Sequence, residues 1–361
     1  MTITVDCRMF AASGVGVYLR ECLPYLLDSP HRFVLLGNAH KLRAFIGERT
    51  NITVVDCAVK PFSLAELMRF PRGILKTTNR TDLFYSPYFN VPGGIRIPVY
   101  TTIHDIVFLD MPELASKAGL IARMWFYRRA FARSAKIYTV SEFSKSRILH
   151  YARRNMPVIV TYSAVQPYLL KPVPADRSVG KRKTVKRETI LFVGNIKKHK
   201  GLPCLLDAFF QARREGLPHK LVIVGEKERF RSSDAEALAK LKTVDSAAVE
   251  FTGCLPDEKL KTLLSESALL VQPSLYEGFG LPPLEAMVCG TQALISDIPV
   301  FREIYAEFPV TFFRAGDSGD LCAKLMSLLY RKTPVSVALP EALRQKYTFA
   351  KTAAAILNEW R

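Results

Sequence analysis

The chain has 361 residues, 49% of them hydrophobic and 23% charged, which is enough for two ordinary cores and argues against a largely disordered protein. Its formal net charge of +18 asks for an acidic partner: nucleic acid, an anionic membrane surface or a diphosphate-bearing substrate. The sequence has no run of about eighteen apolar residues, so no membrane-spanning helix is expected.

The N-terminus, Met-Thr-Ile-Thr-Val-Asp-Cys-Arg, reads as a first strand and not as a signal peptide. Short β-branched or aromatic runs then recur, separated by helix-length segments. In the first half they are Ile3–Asp6, Arg32–Leu36, Ile52–Cys57, Leu83–Tyr85, Val99–Ile103, Ile137–Val140 and Val158–Tyr162. In the second half they are Ile190–Val193, Leu221–Val224, Val249–Thr252, Leu269–Gln272, Ala293–Ser296 and Val310–Phe313. This alternation predicts βαβ units and parallel sheets. The polar, Pro-containing stretch 171–188 marks a linker. The expected organisation is a Rossmann-like domain over 1–170 and a second over 189–340, with the two sheets facing a central cleft. A C-terminal helix over 341–361 is expected to pack back on the first domain, with Leu343, Tyr347, Ala350, Ala354 and Leu357 at helical spacing.

Ligands of such sheets bind at the carboxyl ends of strands, and the unusual chemistry of this chain falls in those loops. Glu277-Gly-Phe-Gly-Leu-Pro-Pro-Leu-Glu285 follows a strand and opens a helix. Gly278 and Gly280 let the backbone approach a ligand, and the helix-start N–H groups suit a diphosphate. The plainer reading is a strand–loop–helix joint with Glu277 as a cap and Glu285 solvated, but a cap does not need an aromatic exposed in a tight turn, as Gly-Phe-Gly suggests. Val193-Gly-Asn-Ile-Lys-Lys-His-Lys-Gly-Leu202 gathers three lysines and a histidine after another strand. These cations suit a leaving diphosphate, or else form a solvated basic loop. His104 stands directly after a strand, in Thr-Ile-His-Asp. The loop carrying Gly14 and Gly16 is a weak match to a dinucleotide fingerprint, because Leu19 occupies the third glycine position. Ser141 suits a helix cap.

The Glu277–Glu285 string resembles the E-x7-E signature of retaining glycosyltransferases of the two-domain GT-B fold, in the group called family 4, and the similarity runs over most of the chain. The resemblance implies that Glu277 contacts the donor sugar, that backbone groups at Phe279, Gly280 and Leu281 meet sugar and diphosphate, and that Glu285 holds the ribose hydroxyls. It implies a basic pair on the Lys-rich loop. Lys200 matches one member, but Asn195 stands where the family carries arginine, so Lys197 or Lys198 is the alternative source of charge. It implies that His104 contacts the donor sugar, that the loop with Gly14 and Gly16 covers the reaction centre, with Gly16 giving room for substrate, and that base contacts near Gly225, Glu226 and Leu255 are largely main-chain. Catalysis is thus expected from His104, Lys200 and Glu277.

The implied reaction is transfer from a nucleotide sugar to a hydroxyl with retention, by front-side attack and domain closure. It needs no other cofactor and no divalent metal, since a D-x-D motif is lacking. The motifs look most like bacterial mannosyltransferases of surface-polysaccharide assembly, which favours GDP-mannose as donor and a polyprenyl-diphosphate-linked glycan as acceptor. A UDP-sugar donor and a sugar-nucleotide epimerase are alternatives. A nucleic-acid partner is not expected, because no binding module is recognisable.

Two further expectations come from the residues themselves. The segment 117–136, read as a helix, puts Leu120, Met124, Tyr127 and Phe131 on one side and Arg129, Arg133 and Lys136 on the other. It resembles an interfacial membrane helix, with Trp125, Arg128, Arg129 and Arg133 as contacts to an anionic inner-membrane surface. A core helix with a solvated basic face is the alternative. The seven cysteines are odd in number and lack a C-x-x-C pair, which predicts buried free thiols. Together these place the protein in the cytoplasm, peripheral on the inner face of the plasma membrane.

Overall fold

The structure is a computed structural model that describes residues 1–12, 14–171, 187–225, 235–242, 247–330 and 337–360. The chain divides into two compact units, Met1–Ala164 with Thr348–Arg361, and Val165–Tyr347.

The first unit is a seven-stranded parallel sheet with strand order β3-β2-β1-β4-β5-β6-β7. Its strands are β1 (Thr2–Asp6), β2 (Arg32–Gly37), β3 (Ile52–Asp56), β4 (Leu83–Ser86), β5 (Val99–Thr102), β6 (Lys136–Thr139) and β7 (Val158–Val160). The second unit is a six-stranded parallel sheet of order β10-β9-β8-β11-β12-β13. It comprises β8 (Arg187–Val193), β9 (Lys220–Val224), β10 (Val249–Gly253), β11 (Ser267–Gln272), β12 (Gln292–Ser296) and β13 (Thr311–Phe313). The central strands are buried on both faces, as crossover helices require, so β4 and β11 read as short apolar runs without alternation. Each expected run has its strand. β8 begins at Arg187, inside the stretch assigned to the linker, most of which lies outside the described residues.

In both sheets the strand order reverses once, between β1 and β4 and between β8 and β11. Such a switch point splays the following loops to opposite sides and opens a crevice at the carboxyl ends. That geometry decides which loops meet.

The C-terminal segment differs from its expected form. A short helix, Glu341–Arg344, belongs to the second unit, and a separate helix, Phe349–Leu357, belongs to the first. Its buried face is Phe349, Thr352, Ala353 and Ile356, while Ala350 and Ala354 are exposed. The expected stripe was out of phase because the helix restarts at Thr348, whose side chain caps Lys351 N. Phe349, Ile356 and Trp360 complete a core with Tyr18, Leu19 and Leu23 of the Val15–Leu27 helix. Ile356→Ala should therefore cost about 2–5 kcal/mol, read as a lower urea midpoint for the first unit. An unchanged midpoint would show that the segment only decorates that unit.

Candidate active site

In the second unit the switch point places the loop after β8 beside the loop after β11. The β8 loop turns at Lys198–Lys200 and ends on Gly201, which has φ +66°. A Cβ at Gly201 would lie 2.0 Å from the Pro273 carbonyl oxygen, so only glycine lets the two loops touch. The His199 carbonyl then accepts the amides of Leu275 (2.7 Å) and Tyr276 (3.4 Å).

This stitching delivers Lys200 to Glu277. The Lys200 ammonium donates to both carboxylate oxygens, at 2.7 and 2.8 Å. Ser274 Oγ donates to the same carboxylate at 2.8 Å, and Gln272 Nε2 donates to Ser274 Oγ at 2.9 Å. Burial alone would raise the Glu277 carboxyl; the charge and hydrogen bond of Lys200 outweigh it and hold the group below its ordinary value. Glu277 is therefore a buried, oriented anion. His199, buried beside Lys200, is pushed down to about 4 by desolvation and by that cation, and so stays neutral.

Glu285 lies in the helix Leu281–Val288 and is 6% exposed, not solvated. Desolvation pushes its carboxyl up to about 7, only partly opposed by a hydrogen bond with Gln166. Gly280 caps this helix at φ +82°, where a Cβ would come within 2.2 Å of the Phe301 ring. Tyr305 fastens the helix start, donating to the Gly280 carbonyl and accepting from Leu284 N. Phe279 is 4% exposed and packs edge-on against Tyr347. The expectation of an exposed aromatic is thus corrected: the turn points its ring inward. Gly278 and Leu281 are partly buried in the same turn.

Asn195 is exposed on the loop after β8, and Lys198 is exposed while Lys197 is partly buried. Gly225 follows β9, where a Cβ would meet the Gly194 oxygen at 2.2 Å, and its amide bonds the Gly253 carbonyl at 3.1 Å. Leu255 borders a cavity of about 370 Å³ with Thr252 and Glu258. Glu226 lies outside the described residues.

The remaining candidates lie in the first unit. His104 follows β5, and its Nε2 lies 3.0 Å from the Pro87 carbonyl oxygen. A carbonyl only accepts, so Nε2 carries the proton and Nδ1 holds the lone pair. Burial pushes the imidazole down to about 4, against the opposing Pro87 hydrogen bond. The ring packs edge-on against Tyr18 at 4.7 Å. Gly16 is buried, and a Cβ there would lie 2.8 and 2.9 Å from the Phe10 and Met9 carbonyl oxygens. The missing side chain therefore lets its own loop close over the helix start. Gly14 is exposed at the helix start with open space around it. Ser141 accepts the Ser144 amide at 3.0 Å, which makes it a helix cap.

Sequence reasoning missed several groups. Gln272 and Ser274, both fully buried, orient Glu277; a glutamine closing an otherwise apolar strand was the available signal. Tyr305 had no local signal. The buried ion network at the end of β1 was also missed: Arg8 bridges Asp6 and Glu66 at 2.6 Å each, and Asn90 donates to both at 2.9 Å.

The basic helix Lys117–Arg133 is present, capped by Ser116. Arg129 donates to the carbonyls of Val91 and Pro92, and Arg133 to that of Ile95. These bonds tie both guanidinium groups to the 91–95 loop, with Arg129 partly buried and Arg133 exposed. Lys136 starts β6 and pairs with Glu359 at 2.7 Å. Trp125 (47%) and Arg128 are exposed. None of the seven cysteines is in a disulfide; four are buried, but Cys254 is exposed, which corrects the expectation for that residue. No helix among the described residues is long and apolar enough to cross a membrane.

The raised Glu285 carboxyl has a consequence for stability. Its folded value exceeds its unfolded one, so its contribution is full below about pH 4.5 and is lost as pH rises through about 7. Glu285→Gln should flatten the fall in Tm between pH 5 and pH 8. An identical pH profile in both proteins would contradict the burial.

Known families match both units. Residues 12–167 match the model for Glycosyltransferase Family 4, and residues 176–345 match that for Glycosyl transferases group 1. Over 233 residues the chain is 27% identical to O-antigen chain mannosyltransferase B of Escherichia coli, covering 62% of this chain and 59% of the relative. It is 27% identical to the GDP-mannose:cellobiosyl-diphosphopolyprenol alpha-mannosyltransferase of Xanthomonas oryzae pv. oryzae, covering 56% of each chain. The chain thus matches between half and three-fifths of the length of these relatives. Anabaena HepE, solved with UDP and glucose, superposes with a TM-score of 0.71 at 17% identity, covering 100% of this chain and 99% of that one. With both of its sheets accounted for in this way, the chain belongs to the group 1 glycosyltransferases of family 4 and has the GT-B fold.

Proposed function

We propose that the protein transfers a hexose from a nucleotide sugar to a hydroxyl acceptor with retention at the anomeric carbon. The observation that carries this reading is the pairing of the half-buried Lys200 with the buried Glu277, held at a sheet switch point beside a glycine-capped helix start. Glu277 would orient the sugar by accepting its hydroxyls. Lys200 and the helix-start amides would stabilise the charge that develops on the diphosphate as the glycosidic bond breaks. The acceptor oxygen forms the new bond on the same face, and its proton passes to the departing phosphate oxygen. Glu285 would hold the ribose hydroxyls, with the base near Gly225 and Leu255. His104 would offer Nδ1 to a sugar hydroxyl. Because its imidazole is held down to about 4, it accepts throughout the neutral range.

GDP-mannose is the favoured donor and a polyprenyl-diphosphate-linked glycan of surface-polysaccharide synthesis the favoured acceptor. The names of the two curated relatives support both, one being an O-antigen mannosyltransferase and the other acting from GDP-mannose on a diphosphopolyprenol. We place the enzyme on the cytoplasmic side of an anionic membrane, touching it through Trp125, Arg128 and Lys117. Sedimentation with anionic vesicles should then fall as salt rises, and absence of binding at low ionic strength would remove this part of the proposal.

The donor is tested by thermal melts with GDP-mannose and with UDP-linked sugars. A ligand at a hundredfold its Kd adds about 2.7 kcal/mol, which is visible as a raised Tm for GDP-mannose. If no nucleotide sugar raises Tm, the reading fails; if only UDP-sugars do, the donor assignment fails. Glu277→Gln should retain nucleotide binding while turnover falls by about 10²–10³, the scale of one preorganised charge interaction. Lys200→Ala should also lower stability by about 3 kcal/mol, because it strands a buried carboxylate.

A further inference from the structure

The first unit carries a row of aromatic rings that begins at His104. Tyr88 lies 6.2 Å from the imidazole, Phe62 lies 5.4 Å from Tyr88, Phe126 lies 5.0 Å from Phe62, and Trp125 lies 5.1 Å from Phe126. Tyr88, Phe62 and Phe126 are half-buried and Trp125 is exposed, so the row reaches the surface. Arg123 lies beside it, 4.1 Å over the Phe108 ring, and the Asp105 and Arg123 charges act on the Tyr88 phenol in opposite directions.

Phe62 is held in place against its own preference. Its φ is +61°, in the left-handed region that side chains disfavour. Its amide donates to Glu66 Oε2 at 2.6 Å, and Glu66 is itself tied to Arg8 and Asn90. Backbone strain of this kind persists where the surroundings over-determine it, and it clusters at functional sites. Here it sets the ring that joins Tyr88 to Phe126.

Beyond the row lies an apolar patch made by two helices. Leu64 (75% exposed) and Met68 (80%) stand four residues apart on Leu64–Met68, and Ile121 (68%) and Trp125 (47%) stand four apart on Lys117–Arg133. The helices are joined through Phe62 against Phe126. They are joined also through the 91–93 loop, where Gly93 N bonds the Glu66 carbonyl and Arg129 bonds the Val91 carbonyl. The surrounding surface is cationic, with Lys60, Arg69, Arg72 and Arg128 exposed. Across residues 57–81 the single acidic side chain is Glu66, which is fully buried, and residues 114–135 contain none.

We propose that this row is the acceptor track, and that its occupant is a lipid diphosphate whose sugar end lies at His104 and whose isoprenoid tail leaves over Leu64, Met68, Ile121 and Trp125. Aromatic faces suit the C–H surfaces of sugars and the tail alike, Arg123 meets the diphosphate, and the acid-free rim admits an anionic amphiphile where an acidic-rimmed patch would repel it. The proposal rests on the glycosyltransferase reading for the acceptor's role, but binding along the track does not depend on donor turnover.

The two tryptophans make the test direct, since Trp360 is 2% exposed and Trp125 is the surface one. Farnesyl diphosphate, titrated below its micelle concentration, should shift tryptophan emission to the blue and saturate, whereas inorganic diphosphate should not. Trp125→Phe should abolish the shift. The surface variant Leu64→Ser/Met68→Ser should weaken the apparent Kd at least tenfold, and Tyr88→Ala should do the same. GDP binding by calorimetry should be unaltered in these variants; its absence in the unsubstituted protein would count against the donor reading and leave the track standing. A shift that does not saturate, or one with the same Kd in the Leu64→Ser/Met68→Ser variant, would overturn the track. So would self-association that this variant abolishes in a protein that ignores farnesyl diphosphate, which would assign the patch to a second copy.

Discussion

The second unit is organised by one topological constraint: β8 and β11 are neighbours in space but 74 positions apart from the end of one to the start of the other. Their loops leave the sheet at its reversal point, and the Gly201–Pro273 contact leaves no room for a side chain between them. Once those backbones touch, Lys200 and Glu277 have little freedom to do anything but pair. A pair with a buried carboxylate is a weak source of stability, because desolvation offsets much of its Coulomb energy. Its effect is orientation, and Ser274 and Gln272 extend that orientation by fixing the carboxylate from the strand side.

The same loop and helix separate two carboxylates eight positions apart. Glu277 has a cation and a hydroxyl donor and stays ionised, whereas Glu285 has burial and one amide, and is raised to about 7. Divergent environments of this sort assign different tasks to like groups. An ionised Glu277 accepts hydrogen bonds from a sugar and keeps Lys200 in reach of a diphosphate. A carboxyl near neutrality at Glu285 can both donate and accept, which suits paired hydroxyls. His104 and His199 are both held neutral, so positive charge in these loops comes from lysine and from backbone amides.

Most of the fold was legible because a parallel sheet writes itself into sequence as short apolar runs at regular spacing. The E-x7-E string and Lys200 were legible for a related reason, since loops at strand ends carry residue types that cores do not. What escaped depended on distance or on direction. Tyr305 reaches Gly280 across 25 positions, and Glu66 reaches Arg8 across 58; no local pattern announces either. The direction of Phe279 was not legible, because only the folded turn shows which way a ring faces. Arg129 and Arg133 looked like free surface charge, yet their carbonyl partners lie on a loop some 38 positions earlier. The phase of the C-terminal helix is set by the Thr348 cap, which starts a second helix after Glu341–Arg344 and which apolar spacing alone does not mark.

The central claim is retaining transfer from a nucleotide sugar, and product stereochemistry tests it most directly. Purified protein is incubated with GDP-mannose and a polyprenyl-diphosphate-linked glycan, and the anomeric configuration of the new linkage is read by NMR coupling. The account predicts an α-linked product, matching the α configuration of the donor. A β-linked product, or no transfer from any nucleotide sugar by protein that binds it, would contradict the account.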